Sequence, residues 1–477
     1  MVTMKMLIDG EWTDAASGET YEVHNPADGK LLDTAPLGNA EDVKRAADSA
    51  HSALKKWSTV SARDRGKILF KAAQHVRDQQ NTLATTLTME QGKPFKEARD
   101  EIQGFASILE YYAGISAALE DGLIPLAHGK YGAMLRRPIG VCGAIIPWNV
   151  PAIIMGWKVG PALITGNTLV LKPATTTPLT NLSLAYAMYE AGLPKGVLNI
   201  VTGPGGSVGD EIVRNPIIRK LSFTGSVETG KRVLQAASAS MKRVTLELGG
   251  SDPMIVCDDV DMKKAVNGAV HGRFYNCGQT CTAAKRLFVF ESIADEFIGQ
   301  LKARVERLKV GNGMDEGTEM GPMNNHAQWE QIKTLVDEVR EKNEGKVITG
   351  GSVPEGEQYK NGFFYLPTLV SDVAPDSRLV REEVFGPVLP IVVVKDLDEA
   401  IERANDTKYG LGSSIWTNDM ERARTACERL ESGITWINQH VKLPPEMPFG
   451  GVKASGIGRE NGMETIDAYY ELKSIMF

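Results

Sequence analysis

Short apolar runs alternate with longer stretches of helical length through the middle of the chain. Between residues 138 and 250 the apolar runs predict five strands, in VCGAII, NTLVLKP, VLNIVTG, RKLSFTG and RVTLELGG. In PLTNLSLAYAMYEAG, by contrast, Leu182, Ala185 and Met188 recur at helical spacing, and Gly192 follows as a stop signal. Because apolar strands that alternate with helices form βαβ units, this pattern predicts a doubly wound parallel sheet of Rossmann-like type.

A second series of the same kind begins at Pro253. Its predicted strands are PMIVC, RLFVF, LPIVVV, SSIWT and GITWIN, with helices between them. The first 117 residues read as mostly helical after a short β start, and we expect them to join the first sheet. The fold class is therefore α/β, with two doubly wound parallel-sheet domains, which suits a chain too long for one hydrophobic core.

Composition excludes several classes of function. The 477 residues are 42% hydrophobic and 24% charged, which is typical of a soluble globular protein. A net charge of -7 argues against a nucleic-acid partner, which would require a basic face. The first residues carry charge by position 5 and do not resemble a signal peptide. Five cysteines form no disulfide framework, and this favours a cytoplasmic location.

One segment, 141–171, is apolar and long enough to span a bilayer. Three prolines interrupt it, however, and Asn149 and Lys158 would each need a partner in lipid. We therefore expect a buried strand, turn and helix rather than a membrane span.

Two segments are candidates for binding an anionic ligand. In FTGSVETG, a glycine follows a strand and Ser226 opens a helix, whose N-terminal amides could hold a pyrophosphate. In LKPAT, Lys172 ends a strand, at the edge of the sheet where open α/β sheets bind ligands. An ordinary N-capped helix and a solvated lysine are the alternatives for these two features.

Two further segments carry candidate catalytic groups. Glu247 ends an apolar strand beside two glycines, where partial desolvation would raise its pKa and make it a usable base. Asn149 lies between prolines in PWNVP, where a fixed amide could donate to an oxyanion. The alternatives are a carboxylate that caps the next loop and a turn asparagine bonded to its own backbone.

Cys277 and Cys281 stand four residues apart in YNCGQTCTA. No metal site is expected, because a zinc site needs four ligands and the seven histidines are scattered without a second close Cys/His pair. A structural disulfide is poorly supported in a reducing compartment. A buried, inert thiol and a nucleophile both stay open. One thiol, one base and one oxyanion donor together match covalent carbonyl chemistry.

Seven ordered motifs extend this interpretation over essentially the whole chain. They are P-W-N-x-P at 147–151, K-P-A at 172–174, F-T-G-S-x-x-x-G at 223–230, E-L-G-G at 247–250, G-Q-x-C at 278–281, E-E-V-F-G-P at 382–387 and P-F-G-G-x-K-x-S-G at 448–456. The set resembles the aldehyde dehydrogenase superfamily, in its NAD(P)-dependent, hydrolytic branch. The resemblance implies oxidation of an aldehyde to the acid through a cysteine thiohemiacetal and thioester.

The resemblance also assigns catalytic roles. Cys281, which follows G-Q-x, would be the nucleophile, and its own N–H and the amide of Asn149 would hold the oxyanion. Glu247 would activate the hydrolytic water, and Lys158 and Glu460 would relay its proton.

The implied cofactor and substrate sites are larger sets. Lys172 would bind the adenosine ribose, and Glu383 and Phe385 would position the nicotinamide ribose and ring. The implied cofactor set is Pro147, Trp148, Lys172, Thr175, Gly205, Phe223, Gly225, Ser226, Gly230, Leu248, Gly249, Glu383 and Phe385. The implied substrate tunnel is Val150, Ile154, Trp157, Thr280, Thr282, Leu443 and Phe449. Because these tunnel positions carry no arginine or lysine, small to medium neutral aldehydes, aliphatic or aromatic, are expected.

Thr175 departs from the pattern of many NAD-preferring members of the superfamily, which carry a glutamate there. A neutral hydroxyl does not repel a 2′-phosphate and can donate to it, while Lys172 supplies charge. The sequence therefore predicts that NADP is accepted and preferred over NAD.

The resemblance also divides the chain and implies assembly. Residues 1–117 and 140–249 would bind NAD(P), and 250–446 would form the catalytic domain. Residues 118–139 and 447–477 would form a small β oligomerisation arm and the C-terminal segment of a homodimer or homotetramer.

Two rival functions and one hypothesis on Cys277 stay open. A semialdehyde dehydrogenase, acting on an acidic substrate or acylating CoA, is one rival, although the CoA-acylating branch usually lacks a glutamate at the position of Glu247. The other is a dinucleotide-binding protein of the same fold without activity. Cys277 could form a disulfide with Cys281 under oxidation, or it could be a small apolar filler.

Overall fold

The computed structural model describes residues 4–477 and confirms the α/β class, with two large sheets of parallel strands. The strands are β1 (Met6–Ile8), β2 (Glu11–Thr13), β3 (Thr20–His24), β4 (Leu31–Pro36), β5 (Gly122–Pro125), β6 (Tyr131–Pro138), β7 (Val141–Ile145), β8 (Thr168–Lys172), β9 (Leu198–Ile200), β10 (Ile218–Thr224), β11 (Arg243–Glu247), β12 (Asp252–Val256), β13 (Ala284–Phe290), β14 (Lys346–Thr349), β15 (Thr368–Ser371), β16 (Val388–Val394), β17 (Gly412–Trp416), β18 (Ile434–Ile437), β19 (Gly456–Ile457) and β20 (Tyr470–Met476).

The helices lie mainly between these strands, as the hydrophobic periodicity predicts. They are α1 (Ala40–Trp57), α2 (Ala62–Asp78), α3 (Gln80–Gln91), α4 (Phe95–Gly114), α5 (Pro151–Ile164), α6 (Pro178–Glu190), α7 (Asp210–Arg214), α8 (Val227–Ser238), α9 (Met262–Phe274), α10 (Ala294–Val305), α11 (His326–Lys342), α12 (Arg378–Arg381), α13 (Leu397–Asn405) and α14 (Met420–Arg429).

The first sheet has the order β19-β11-β10-β7-β8-β9-β1-β2. Its five central strands are parallel, with β7 in the middle, β8 and β9 on one side and β10 and β11 on the other. The chain thus reverses its winding direction at β7, and ligands bind outside the strand ends at such a switch point. Each outer strand pairs antiparallel with its inner neighbour: β1 with β9, β2 with β1 and β19 with β11. The sheet is therefore mixed, because short strands remote in sequence complete its edges.

The second sheet has the order β14-β15-β16-β13-β12-β17-β18. All neighbouring strands are parallel except the pair β14 and β15 at one edge. Strands β12 and β13 lie inside the sheet and are buried along their whole length. Their apolar runs, without alternation, are what a strand covered on both faces requires.

A third, smaller sheet pairs β5, β6 and β20 in antiparallel register, from Tyr470 opposite Pro138 to Met476 opposite Gly132. Apolar side chains are exposed on this sheet: Leu123 is 62% exposed, Leu472 60% and Met476 74%. Pairing of the chain's last strand with residues 131–138 is what the predicted β arm requires.

The apolar segment 141–171 forms β7, α5 and β8, which pack inside the first sheet and its helices. All of α5 is buried except Ile153. No helix of residues 4–477 is long and apolar enough to cross a membrane. The high hydropathy of this segment reflects burial on all sides in the protein core.

Candidate functional site

The turn between β7 and α5 places Asn149 at the switch point of the first sheet. β7 ends at Ile145, and Pro151 occupies the first position of α5, where its missing N–H costs nothing. Asn149 is only 4% exposed. Its Nδ2 donates to the carbonyl oxygen of Gln279 at 3.0 Å. Because an amide nitrogen carries two hydrogens, this bond orients the group and leaves one hydrogen for a ligand.

The loop before β13 brings Cys281 to the same place. It begins with a short helical turn in which Asn276, Cys277 and Gly278 have φ values of 51°, 55° and 70°. A left-handed conformation is unusual for the first two residues, and tertiary contacts hold it. Asn276 donates from Nδ2 to the carbonyl oxygen of Asn149 at 2.8 Å, so this loop and the Asn149 turn are bonded directly.

Cys281 is half-buried and has a buried lysine beside it. Lys285 Nζ donates to the carbonyl oxygens of Thr280, at 3.0 Å, and of Cys281, at 2.5 Å. Burial raises the pKa of the Cys281 thiol well above its usual value, and the charge of Glu247 raises it further, whereas Lys285 lowers it. Because the thiolate is the nucleophilic form, attack requires a base to accept the thiol proton.

Glu247 is the last residue of β11 and lies opposite Thr224 of β10 in the parallel register. It is 1% exposed, and neither carboxylate oxygen has a hydrogen-bond partner within residues 4–477. Burial is the main reason that its pKa is raised well above the usual value; Glu460 raises it further and Lys158 lowers it. A buried carboxylate with a raised pKa has the properties of a general base.

Lys158 and Glu460 form a buried ion pair behind Glu247. Lys158 Nζ donates to Glu460 Oε1 at 2.7 Å and to Thr224 Oγ1 at 2.8 Å. Ser222 Oγ also donates to Glu460 Oε1, at 2.7 Å. Ser222 and Thr224 are two residues apart on β10, and alternate residues of a strand share one face. The sequence predicted the first pair but not the two hydroxyls that hold it.

Glycines and an N-cap form the predicted pyrophosphate cradle. A Cβ on Gly225 would lie 2.6 Å from Phe223 Cζ, and one on Gly230 would lie 2.5 Å from Leu248 Cδ2. Ser226 is the N-cap of α8, and its Oγ accepts from the backbone N–H of Thr229 at 3.3 Å. The glycines thus keep the start of α8 close to the sheet, and its unpaired amides are suited to a phosphate.

Lys172 ends β8 and is 4% exposed. Its Nζ donates to the carbonyl oxygen of Pro173 at 2.8 Å, and burial lowers its pKa to about 8. A ligand phosphate or ribose would stabilise this ammonium. The aliphatic part of Lys172 lies next to the turn Gly205–Gly209, and a Cβ on Gly205 would meet open space. Thr175 is partly exposed three residues after the lysine.

Glu383 and Phe385 lie at the other end of the predicted cofactor site. Glu383 Oε1 accepts from the N–H of Gly250 at 3.1 Å and lies 3.4 Å from Lys285 Nζ. A Cβ on Gly249 would collide with the Glu383 carboxylate. The Phe385 ring packs edge-on against Trp148, with centroids 5.5 Å apart. These contacts join the E-L-G-G, E-E-V-F-G-P and P-W-N-x-P motifs around one space.

The predicted tunnel residues also gather beside Cys281. Ile154, Trp157 and Phe449 belong to one buried apolar cluster, and Val150, Leu443 and Cys281 itself pack against it. The rings of Trp157 and Phe449 have centroids 5.1 Å apart. Thr280 and Thr282 are both under 10% exposed. Pro147 and Trp148, of the predicted cofactor set, directly precede Asn149, of the predicted catalytic set, on the same turn.

The two cysteines of the YNCGQTCTA segment belong to different cores. Cys277 is 1% exposed and packs in the apolar cluster of the second sheet, whereas Cys281 packs against the cluster of the first. Burial raises the pKa of the Cys277 thiol. This arrangement counts against a disulfide between them and favours the interpretation of Cys277 as an apolar filler.

Several polar residues of the site escaped sequence reasoning. Lys93, Glu101, Gln279 and Lys285 are each at most 1% exposed, and all contact residues of the Asn149 turn or the Cys281 loop. A signal existed for Lys285, since a charged residue inside the apolar strand AKRLFVF would be buried. Lys93 and Glu101 lie before and within α4, where charge usually indicates a solvated face, and Gln279 is an uncharged residue of a loop.

Comparisons with known proteins match the whole chain. The model of the Aldehyde dehydrogenase family matches residues 12–475. Betaine aldehyde dehydrogenase of Bacillus subtilis (strain 168) is 40% identical over 480 residues, which cover 99% of this chain and 97% of that protein.

Solved structures agree equally well. The crystal structure of an Escherichia coli NADP dependent enzyme has 40% identity and a TM-score of 0.97, over 100% of this chain and 98% of the other. A point mutant of betaine aldehyde dehydrogenase from Staphylococcus aureus, in complex with NAD+ and with a modified cysteine, has 34% identity and a TM-score of 0.97. That match also covers 100% of this chain and 98% of the other.

Proposed function

Because the chain belongs to the aldehyde dehydrogenase family and is an NAD(P)-dependent oxidoreductase acting on aldehydes, we propose that it oxidises its substrate at Cys281 and hydrolyses the product there. The observation that carries this proposal is the convergence of three groups. The Cys281 thiol and the Asn149 amide come from two loops and the buried Glu247 carboxylate from the end of β11, and the three groups meet at one space.

In the first step, the Cys281 sulfur forms a bond to the aldehyde carbon and its proton passes to a base. The carbonyl π electrons move to oxygen, and the free Asn149 hydrogen and the Cys281 N–H hold the resulting oxyanion. A nicotinamide dinucleotide supplies one chemical function when bound, which is to accept a hydride from this carbon. The product on the enzyme is a thioester of Cys281.

In the second step, Glu247 takes a proton from a water molecule, whose oxygen attacks the thioester carbon. The carbon–sulfur bond breaks, the acid leaves, and Cys281 recovers its thiol proton. Lys158 and Glu460 carry the proton from Glu247 onward, with Ser222 and Thr224 holding the pair in place. The raised pKa of Glu247 suits a group that must both take and release a proton.

The preference for NADP over NAD is part of the proposal. Thr175 puts no negative charge beside Lys172, and the buried ammonium of Lys172 suits a phosphate. Relatives include one described as NADP dependent and one solved with NAD+. We expect Thr175→Glu to lower kcat/KM with NADP relative to NAD by at least about 10-fold, since a like charge costs more than 1.4 kcal/mol at contact distance. Thr175→Gln, of similar size but neutral, is the control.

For the substrate, small to medium neutral aldehydes fit the apolar cluster beside Cys281. The name of two relatives raises betaine aldehyde as a second candidate. Its trimethylammonium group would be recognised by several aromatic faces. Trp157 and Phe449 offer two such rings, but Val150, Ile154 and Leu443 are aliphatic.

A pair of aldehydes of equal shape separates these candidates. Betaine aldehyde and 3,3-dimethylbutanal differ only in a charged nitrogen at the place of a carbon. Reduced-cofactor formation without CoA is followed for both, with NAD and with NADP. We expect higher kcat/KM for the neutral compound; a preference for betaine aldehyde of about 10-fold or more, equal to 1.4 kcal/mol, would overturn the neutral class.

The same assay tests the rival functions. Turnover that requires CoA would indicate the acylating branch, and turnover only of semialdehydes would indicate an acidic substrate. Dinucleotide binding with no turnover of any aldehyde would indicate a binding protein without activity. The presence of Glu247 at the site supports hydrolysis.

Assembly, domain limits and location also remain proposals. The exposed apolar residues of β5, β6 and β20 support the pairing of this sheet with a second copy, as a homodimer or homotetramer. Sedimentation of the protein and of a Leu123→Lys/Leu472→Lys variant would test it, because added charges disfavour association. The division at residues 117, 140, 249 and 446 and the cytoplasmic location stay predictions.

A further inference from the structure

A buried ion pair outside the predicted site contacts the turn that carries Asn149. Lys93 precedes α4 by two residues, and Glu101 lies in the second turn of that helix. Both side chains are fully buried, and the Lys93 ammonium is bonded to Glu101 Oε2. A buried pair of opposite charges is weak evidence of stabilisation, so its location needs another explanation.

The two partners bond to opposite ends of the turn. Lys93 Nζ donates to the carbonyl oxygen of Asn149 at 2.9 Å. Glu101 Oε1 accepts from the N–H of Ala152 at 2.8 Å. Ala152 is in the first turn of α5, whose N–H groups have no partner inside the helix, and a carboxylate is favourable there. The pair therefore fixes the main chain on both sides of Pro151.

The same carbonyl is fixed from the other side by the Cys281 loop. Asn276 Nδ2 donates to Asn149 O at 2.8 Å, and Glu97 accepts from the N–H of Asn276 at 2.9 Å. The first two turns of α4 thus hold both the turn of Asn149 and the loop that leads to Cys281.

We propose that Lys93 and Glu101 are positioning residues for the oxyanion donor. They fix residues 149–152 so that the second amide hydrogen of Asn149 stays available to the substrate oxygen. The proposal rests on the role of Asn149 in the proposed function. The ion pair itself touches neither substrate nor cofactor and acts only through Asn149.

The test uses a variant that removes the lysine donor without leaving a buried unpaired charge. In Lys93→Met/Glu101→Gln the glutamine can still accept from Ala152, but no ammonium binds Asn149. We expect kcat to fall about 10- to 100-fold, in the range for a displaced oxyanion donor, with the KM for the cofactor unchanged. Glu101→Gln alone keeps the lysine donor and is expected to show a smaller loss.

A double-mutant cycle separates positioning from a general structural effect. In an Asn149→Ala background the same double substitution is expected to change kcat by less than about 2-fold, because the group it positions is gone. An equal loss in both backgrounds, or an unchanged kcat in the double variant, would overturn the role of the pair. A wild-type kcat for Asn149→Ala alone would instead refute the proposed function at that residue, and this proposal with it.

Lys242 provides a matched control. It is also buried, and its Nζ donates to the main-chain carbonyls of Asn215 and Ile218, away from the Asn149 turn. Lys242→Met is expected to lower the melting temperature while leaving kcat per folded enzyme unchanged. If it lowered kcat as much as the Lys93 variants, the loss would reflect removal of any buried lysine and the proposal would fail.

Discussion

The two sides of the candidate site differ in how their polar groups are bonded. On the oxyanion side, which we define as Lys93, Glu101, Asn149, Asn276 and Gln279, most donors and acceptors have partners.

On the base side, which we define as Glu247, Asp252, Thr280 and Cys281, partners are lacking. Within residues 4–477, no partner is found for either oxygen of the Glu247 carboxylate or for the Thr280 hydroxyl. Burial raises the pKa of Glu247, Asp252 and Cys281.

This difference indicates that the two sides of the site have different functions. Buried polar groups are usually hydrogen-bonded, so a group left without partners is available to a ligand or a proton. The oxyanion side therefore has its donors fixed by hydrogen bonds, whereas the base side contains the proposed nucleophile and base, Cys281 and Glu247, among groups with few partners. Substitutions on the base side should therefore change chemistry and pH dependence, whereas those on the oxyanion side should act through geometry.

The largest effect is expected from substitution of Cys281 on the base side, and Cys277, next to Asn276 of the oxyanion side, is its control. Cys281→Ala should lower turnover by more than about 10⁴-fold, because no other group replaces the nucleophile. Cys277→Ala, in the loop of the oxyanion side, should retain turnover and lose only stability. Both are measured by reduced-cofactor formation on folded protein.

Peroxide treatment tests whether Cys277 forms a disulfide with Cys281. If Cys277 is a filler, Cys277→Ala should be inactivated by peroxide, and recover in reductant, to the same extent as the wild type. Loss of that recovery in the variant would show that Cys277 protects Cys281 by forming a disulfide with it.

The next effect concerns Glu247. Glu247→Gln keeps the shape of the side chain but removes the base, so steady-state turnover should fall about 10²- to 10⁴-fold. The first equivalent of reduced cofactor should still form rapidly, since hydrolysis follows the loss of hydride. Stopped-flow absorbance measures this burst, and Cys281→Ala is the burst-free control. Absence of the burst in Glu247→Gln would show that Glu247 acts before the thioester forms.

The smallest effect concerns stability and pH. Burial raises the pKa of Asp252 from 3.8 to about 7. Between these values the native chain binds one proton more than the unfolded chain, so stability is lost as pH rises through this window. Asp252→Asn should remove this contribution, reducing the slope by up to about 1.4 kcal/mol per pH unit. Melting temperatures from pH 4.5 to 8 measure it.

The control for this prediction is an exposed carboxylate with the opposite shift. Hydrogen bonding to Lys67 lowers the pKa of Asp64. Asp64→Asn should therefore leave the slope above pH 5 unchanged. An equal slope in the wild type and in Asp252→Asn would show that Asp252 is already ionised in the native protein.

Much of the fold could be predicted from local pattern. The apolar runs predict strands β7 to β13 in the order in which the structure has them. The position of Ser226 after a glycine turn predicts the start of α8, where Ser226 is the N-cap. The edge strand β19 could not be predicted, because two residues carry no periodicity and pair with β11 only in the folded chain. The prediction of doubly wound parallel sheets is confirmed for the central strands, and the antiparallel edge strands are an addition that the structure shows.

The candidate site divides in the same way. Ordered motifs predicted Cys281, Glu247 and Asn149 as the reacting groups, since each proposed chemical step demands a particular side chain at the end of an element. Lys93 and Glu101 were not found, because a charged residue near a helix start most often faces solvent. Their burial follows from packing of α4 against α5, which no local pattern encodes.

Hydrophobic period and motif order thus sufficed for the two α/β units and the family, and they predicted the reacting groups, because these depend on residue type and short spacing. Only the folded chain decided which groups are partnered. Lys158 and Glu460, 302 residues apart, meet as a buried pair, while Glu247 beside them has no partner in the part of the chain described. The folded chain also places Cys277 and Cys281 in separate hydrophobic cores, although the two cysteines are only four residues apart in sequence. Burial and partnership are properties of long-range packing, and they set the pKa of each group and hence its role.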